Sequence, residues 1–124
     1  MADREFSSLA QRGREALESS RYEEAVEAFK GAIRLKPDNA WAHYNLGSAY
    51  CSLVRYDEAV MVFREAIRLK PGYYEAKSEL RVAEYLLIQE KKHHKPPFWF
   101  NLLLYIIIAL ICLFIVTKII APIK

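Results

Sequence analysis

The chain has 124 residues, 53% of them hydrophobic, and a formal net charge of +3 at neutral pH. That charge is unevenly placed, because residues 1–90 contain 13 Lys or Arg against 15 Asp or Glu, and the other five lysines all follow residue 90. The basic excess therefore belongs to the C-terminal quarter of the chain, and it does not indicate binding to nucleic acid.

The first 73 residues contain an internal repeat with a period of 34 residues. Residues 21–39 (RYEEAVEAFKGAIRLKPDN) and 55–73 (RYDEAVMVFREAIRLKPGY) are identical at 12 of 19 positions. A fixed period of this length is typical of stacked helix–turn–helix units. The segments are rich in residues that favour helices, and Pro37 and Pro71 mark helix ends. We predict that Asp38 is the N-cap of the helix that begins near Trp41.

Both units resemble the tetratricopeptide repeat family. The second unit, residues 40–73, carries the family's small and aromatic positions at Leu46, Gly47, Tyr50, Ala59, Phe63, Ala66 and Pro71. The first unit, residues 6–39, carries them at Gly13, Ala25, Phe29, Ala32 and Pro37, but has Arg12 and Ala16 where the family has leucine and tyrosine. The resemblance implies an all-α fold of two stacked repeats, because one repeat cannot bury its own apolar face.

Three further segments follow the repeats. Residues 73–92 read as a helix without a partner helix, so we predict that it caps the second repeat and completes a repeat domain over residues 1–92. Residues 93–97 form a basic linker whose two prolines must interrupt any continuous helix. The chain then runs from Phe98 to Thr117 without a formal charge. A helix needs about 20 apolar residues to cross the hydrocarbon core, so we predict a transmembrane helix over residues 98–120.

The flanks of the apolar run indicate how it is oriented. An aromatic cluster at residues 98–100 suits the membrane interface, and three lysines precede the run whereas two follow it. Because basic residues concentrate on the cytoplasmic side, we predict a single-pass membrane protein with a C-terminal anchor and its repeats in the cytoplasm. Cys51 and Cys112 then lie in different environments and cannot pair, which is compatible with a reducing compartment.

Binding is the activity that the sequence favours. The three histidines and two cysteines do not form a ligand pattern, and no glycine-rich phosphate loop occurs, so we expect no catalysis, no cofactor and no metal. The resemblance implies that the first helix of each repeat lines a concave groove that binds a protein or peptide. The corresponding positions are Arg14, Trp41, Tyr44, Asn45, Ser48, Glu75 and Glu79. The alternative is that Trp41 and Tyr44 only pack between repeats.

The resemblance also bears on the charge of the ligand. Family members that bind the acidic C-termini of chaperones use a clamp of lysine, asparagine and arginine side chains. The corresponding positions here hold Ala10, Arg14, Asn45, Glu75 and Glu79, and only the asparagine matches. Two glutamates would repel a terminal carboxylate, so we expect a ligand with a basic element near Glu75 and Glu79.

The predicted span carries a stripe of smaller or more polar residues at helical spacing, namely Asn101, Tyr105, Ala109, Cys112 and Val116. Such residues favour contacts between membrane helices, so the expected partners include the lipid bilayer and other membrane-spanning subunits. The sequence therefore favours a membrane-anchored adaptor or assembly factor. The alternatives are a small structural subunit of a membrane complex and, third, an organelle receptor similar to the tail-anchored two-repeat proteins of mitochondrial division.

Overall fold

The computed structural model describes residues 1–120 and residue 122, and all regular structure among them is helical. The helices are α1 (Ala2–Glu18), α2 (Tyr22–Leu35), α3 (Ala40–Ser52), α4 (Tyr56–Leu69), α5 (Tyr74–His93) and α6 (Phe98–Ile115), and a π-helical segment (Val116–Ile120) continues the last. The chain divides into two units, Met1–Glu90 and Lys91–Lys124. The predicted all-α fold is confirmed.

Each repeat is a helix pair in which a glycine of the first helix faces a phenylalanine of the second. Phe29 and Phe63, which are 34 residues apart, are the largest fully buried side chains. A Cβ atom added to Gly13 would lie 2.7 Å from Cζ of Phe29, and one added to Gly47 would lie 2.6 Å from Cε1 of Phe63. Both distances are shorter than a carbon–carbon contact allows, so the ring occupies the space that glycine leaves.

The turn inside each repeat is closed in the same way. The Arg21 N–H donates to the Ala16 carbonyl at 2.8 Å, and the Arg55 N–H donates to the Tyr50 carbonyl at 2.9 Å. A hydrogen bond that spans five residues in this way belongs to the Schellman motif, in which the residue before the N–H donor is left-handed. Those preceding residues are Ser20 (φ 57°) and Val54 (φ 59°). A β-branched residue rarely adopts this conformation, so Val54 is strained.

Val54→Gly is expected to stabilise the repeat domain by about 0.5–1 kcal/mol. The left-handed conformation costs an L-residue about 1–2 kcal/mol, and glycine removes this cost. Part of the gain is lost because glycine also raises the conformational entropy of the unfolded chain. Val54 is exposed, so little packing is lost. Thermal unfolding by circular dichroism measures the change, with Ser20→Gly as the matched variant that should gain less. A lower melting temperature for Val54→Gly would show that the valine side chain contributes packing.

The N-cap of α3, in the link between the two repeats, is not the residue that the sequence predicted. The Oδ1 atom of Asn39 accepts the Ala42 N–H at 2.9 Å and caps α3, so the prediction of Asp38 was wrong by one residue. The buried His43 ring bonds through Nε2 to the Pro37 carbonyl at 2.8 Å and ties the link to α3. These two bonds fix the direction in which α3 leaves the first repeat.

Helix α5 packs against the second repeat. Its Ala76 lies with Ala66 and Tyr73 in a buried cluster, and Ala83 belongs to the main core. Its Glu84 carboxylate pairs with the Arg64 guanidinium of α4 at 2.8 Å. Tyr85 and Ile88 of α5 are exposed. A cleft of about 380 Å³ between α4 and α5 is lined by Val60, Arg64, Glu84, Leu87 and Ile88.

The second unit contains α6 and the π-helical segment. Together they form a helix of 23 residues, Phe98–Ile120, whose most apolar stretch is not buried by other residues. Trp99 packs edge-on against Phe100 at its start, with ring centroids 6.3 Å apart. The helix is long and apolar enough to cross a membrane.

Candidate functional site

The first part of the candidate site lies where α1 faces α3. The Arg14 guanidinium lies over the Trp41 ring, 5.5 Å from its centroid, and Trp41 packs edge-on against Phe29 at 5.8 Å. A cavity of about 390 Å³ opens beside this pair and is lined by Phe6, Ser7, Ala10, Gln11, Arg14, Asn39 and Trp41. Trp41 therefore packs against the first repeat through Phe29 and also lines the cavity.

Tyr44 lies at the centre of the site. Its ring centroid is 6.0 Å from that of Phe63 and 5.1 Å from that of Tyr73, so it packs against α4 and against the residue that precedes α5. Tyr44 and Trp41 are nevertheless only partly buried. The structure thus gives each ring a packing contact and leaves part of each accessible.

Asn45 and Ser48 follow Tyr44 on α3 and bond to their own helix. The Nδ2 atom of Asn45 donates to the Trp41 carbonyl at 2.8 Å, and the Ser48 hydroxyl donates to the Tyr44 carbonyl at 3.3 Å. The Asn45 bond uses one of two amide hydrogens and holds the side chain in a fixed direction. A ligand backbone would meet an amide that is already oriented.

Glu75 and Glu79 lie on α5 and give that end of the site a negative charge. Burial raises the pKa of the Tyr44 phenol, and the charge of Glu79, followed by that of Glu75, raises it further. Burial also raises the pKa of the Cys51 thiol on α3 to about 11, with Glu79 adding to the rise. Glu79 therefore acts on two neighbouring groups of α3, and the site is cationic at its α1 end and acidic at its α5 end.

Cys51 offers a test of this arrangement, and a Cys112→Ser background makes it the only thiol of the chain. With a pKa of about 11 instead of 9.0, its alkylation by iodoacetamide at pH 8 should be about a hundredfold slower than that of an unperturbed thiol, because only the thiolate reacts. Glu79→Gln should lower the pKa and speed the reaction, whereas the matched Glu90→Gln should not. Equal rates in the two glutamine variants would place Glu79 away from Cys51.

The other predicted site residues lie in the second unit. Asn101, Tyr105, Ala109 and Cys112 lie on α6, Val116 opens the π-helical segment, and all five are exposed. Sequence reasoning missed Gln11 and Asn39 in the cavity wall. Gln11 lies one turn before Arg14 on α1, and Asn39 caps α3. Each lines the cavity only because the other element lies beside it.

The family model for the tetratricopeptide repeat matches residues 11–74, about half of the chain. The chain belongs to the tetratricopeptide repeat family. Among curated proteins none matches it. Its fold is similar to the second repeat domain of human RPAP3 in complex with the HSP70 peptide SGPTIEEVD, with 25% identity, a TM-score of 0.69, and coverage of 74% of this chain and 77% of that one.

Two further solved repeat domains are similar to this chain. The second domain of Spaghetti (RPAP3) bound to the HSP90 peptide SRMEEVD has 27% identity and a TM-score of 0.66, covering 68% of this chain and 79% of that one. The domain of Arabidopsis OM64 has 20% identity and a TM-score of 0.69, covering 73% and 75%, and it shows the fold alone. The two RPAP3 domains are each bound to a peptide in these structures.

Proposed function

We propose that this protein is a membrane-anchored adaptor or assembly factor, without enzymatic activity, that recruits a protein or peptide through the concave face of its repeats. The observation that carries the proposal is the row on α3, in which the partly exposed Trp41 and Tyr44 precede the oriented Asn45. Large aromatic side chains of this kind are frequent anchors at interfaces. The two similar RPAP3 domains that hold peptides support a peptide ligand.

The ligand should differ in charge from those peptides, which contain consecutive glutamates. The α5 end of the groove presents Glu75 and Glu79, and like charges brought together in an interface weaken binding. A lysine or arginine of the ligand would instead pair with these carboxylates. We therefore propose a ligand with a basic element at the α5 end.

Helix α6 is proposed as the membrane anchor. The helix of 23 residues is long enough to span a bilayer, and Lys91, Lys92 and Lys95 precede it without an acidic residue between them. Basic flanks of this kind remain on the cytoplasmic side and attract anionic headgroups. The repeats would then recruit their partner to the cytoplasmic surface of the membrane, with lipid as the second partner.

The Tyr44→Ala, Asn45→Ala double variant tests the groove. Loss of an aromatic anchor typically costs about 2 kcal/mol or more, so partner capture by the full chain in detergent micelles should weaken about thirtyfold. Tyr85→Ala is the matched control, because Tyr85 is exposed on α5 and lies outside the predicted groove. Circular dichroism of both variants should show unchanged helicity.

A second candidate, a structural subunit of a membrane complex, is favoured by the cleft between α4 and α5. Its lining includes Val60, Leu87 and Ile88, and Tyr85 lies exposed on the same helix. If capture survives the Tyr44→Ala, Asn45→Ala change but is lost with Tyr85→Ala, Ile88→Ala, this second function replaces the first. Partner capture that depends on the sequence of α6 would also favour the structural subunit.

A further inference from the structure

The cavity between α1 and α3 combines a cation with an aromatic wall. Arg14 is exposed, its guanidinium lies over the Trp41 ring, and both side chains line the cavity. Among the described residues, the ion pairs use Arg21, Lys30, Lys36, Arg55, Arg64 and Arg68, and Arg14 is not one of them. Arg14 thus brings to the cavity a positive charge that forms no ion pair among the described residues.

Two charged residues contact side chains that line the cavity, and only Lys36 is neutralised by its partner, whereas Glu15 keeps its negative charge. Lys36 pairs with Asp3 at 2.7 Å, and the Glu15 carboxylate accepts a hydrogen bond from the Gln11 amide at 2.8 Å. Asn39 uses its Oδ1 atom to cap α3, so the side of its amide that remains for a ligand is the NH₂ donor. Beside the neutral Ser7 and Gln11, the cavity therefore presents an arginine and an amide donor next to an aromatic face.

A carboxylate fits this set of groups. A guanidinium that lies over an aromatic ring keeps its N–H edge available, and that edge matches the two oxygens of a carboxylate. The contact with the Trp41 ring also restricts the Arg14 side chain, so less side-chain freedom is lost when a ligand binds.

We infer that the groove recognises an extended peptide by two opposite charges, with an aspartate or glutamate side chain in the Arg14 cavity and a basic side chain at Glu75 and Glu79. The inference rests on the proposed peptide-binding function. Arg14 contacts Trp41 of α3, whereas Glu79 adds to the rise that burial causes in the pKa values of Tyr44 and Cys51 of the same helix, so the two charges act on different parts of the α3 row. An extended chain advances about 3.3 Å per residue, so a ligand that reaches both charges must carry its acidic and basic residues several positions apart.

The test is a selection from random twelve-residue peptides displayed on phage against the full chain in lipid nanodiscs, with empty nanodiscs as background. The displayed peptides are fused at their C-terminus, so an enriched acid must be a side chain. We expect enrichment of an acidic and a basic residue at a constant separation of several positions. Selection against Arg14→Gln should lose the acidic preference and keep the basic one, and selection against Glu75→Gln, Glu79→Gln should do the reverse.

The leading peptide then gives a measurement on the ligand side that leaves the protein unchanged. Replacing its acidic residue by the amide should weaken binding about tenfold in fluorescence anisotropy with the wild-type chain, and should have no effect with Arg14→Gln. Peptides that bind without an acidic preference, or an equal loss with both proteins, would overturn the inference and leave the proposed function standing. No enrichment over empty nanodiscs would overturn both.

Discussion

Gly47→Ala is expected to lower the free energy of unfolding of the repeat domain by about 2 kcal/mol. The new Cβ atom would lie 2.6–2.8 Å from three atoms of the Phe63 ring, which is fully buried and cannot move aside. Overpacking of this kind costs about 1–3 kcal/mol or more. Alanine is the better helix former by up to about 1 kcal/mol, so the clash must exceed that gain. The sign of the change therefore tests the close approach of α3 and α4.

Thermal unfolding of the full chain in detergent micelles, followed by circular dichroism, measures this change. For a domain of this size 2 kcal/mol corresponds to a fall of about 8–16 °C in the melting temperature. Gly72→Ala is the matched control, because no atom lies within 4 Å of its added Cβ, and it should be neutral or slightly stabilising. Phe63→Leu should make Gly47→Ala less harmful. A higher melting temperature for Gly47→Ala, or strictly additive effects in the double variant, would contradict the packing.

The repeat fold could be predicted because its signals are local and occur twice. Glycine and phenylalanine recur at Gly13, Phe29, Gly47 and Phe63 with the same 34-residue offset, and each pair meets as the family pattern implies. The N-cap of α3 was harder to predict, since Asp38 and Asn39 are both good N-cap residues and only the backbone path decides between them. Val54 carries no sequence signal for a left-handed turn.

The candidate site was predictable only in part, for a different reason. Helical spacing places Trp41, Tyr44 and Asn45 on α3, but it does not say how much of each ring a neighbouring helix covers. That depends on Phe29, Phe63 and Tyr73, which come from other elements. The cavity beside Arg14 likewise exists only because α1 and the cap of α3 meet there, and no window of consecutive residues contains both.

Removal of residues 98–124 is expected to transfer the protein from the membrane pellet to the supernatant. Fourteen Leu, Ile, Phe and Val side chains lie between residues 98 and 117. At about 0.3–0.6 kcal/mol each, they favour insertion by on the order of 4–8 kcal/mol, which is a partition of about 10³–10⁶. The core residues of the repeats all precede residue 90, so the truncated chain should keep its helicity and melt cooperatively.

Ultracentrifugation after an alkaline carbonate wash separates insertion from surface attachment. Lys91→Gln, Lys92→Gln, Lys95→Gln is the control that removes the basic flank and keeps α6, and it should remain in the pellet, because each lysine adds only about 1 kcal/mol of attraction to anionic lipid. If the truncated chain also stays in the pellet, the repeat domain itself binds the membrane. The exposed Tyr85 and Ile88 of α5 would then be the first residues to replace, since they are the large apolar side chains nearest in sequence to the basic flank.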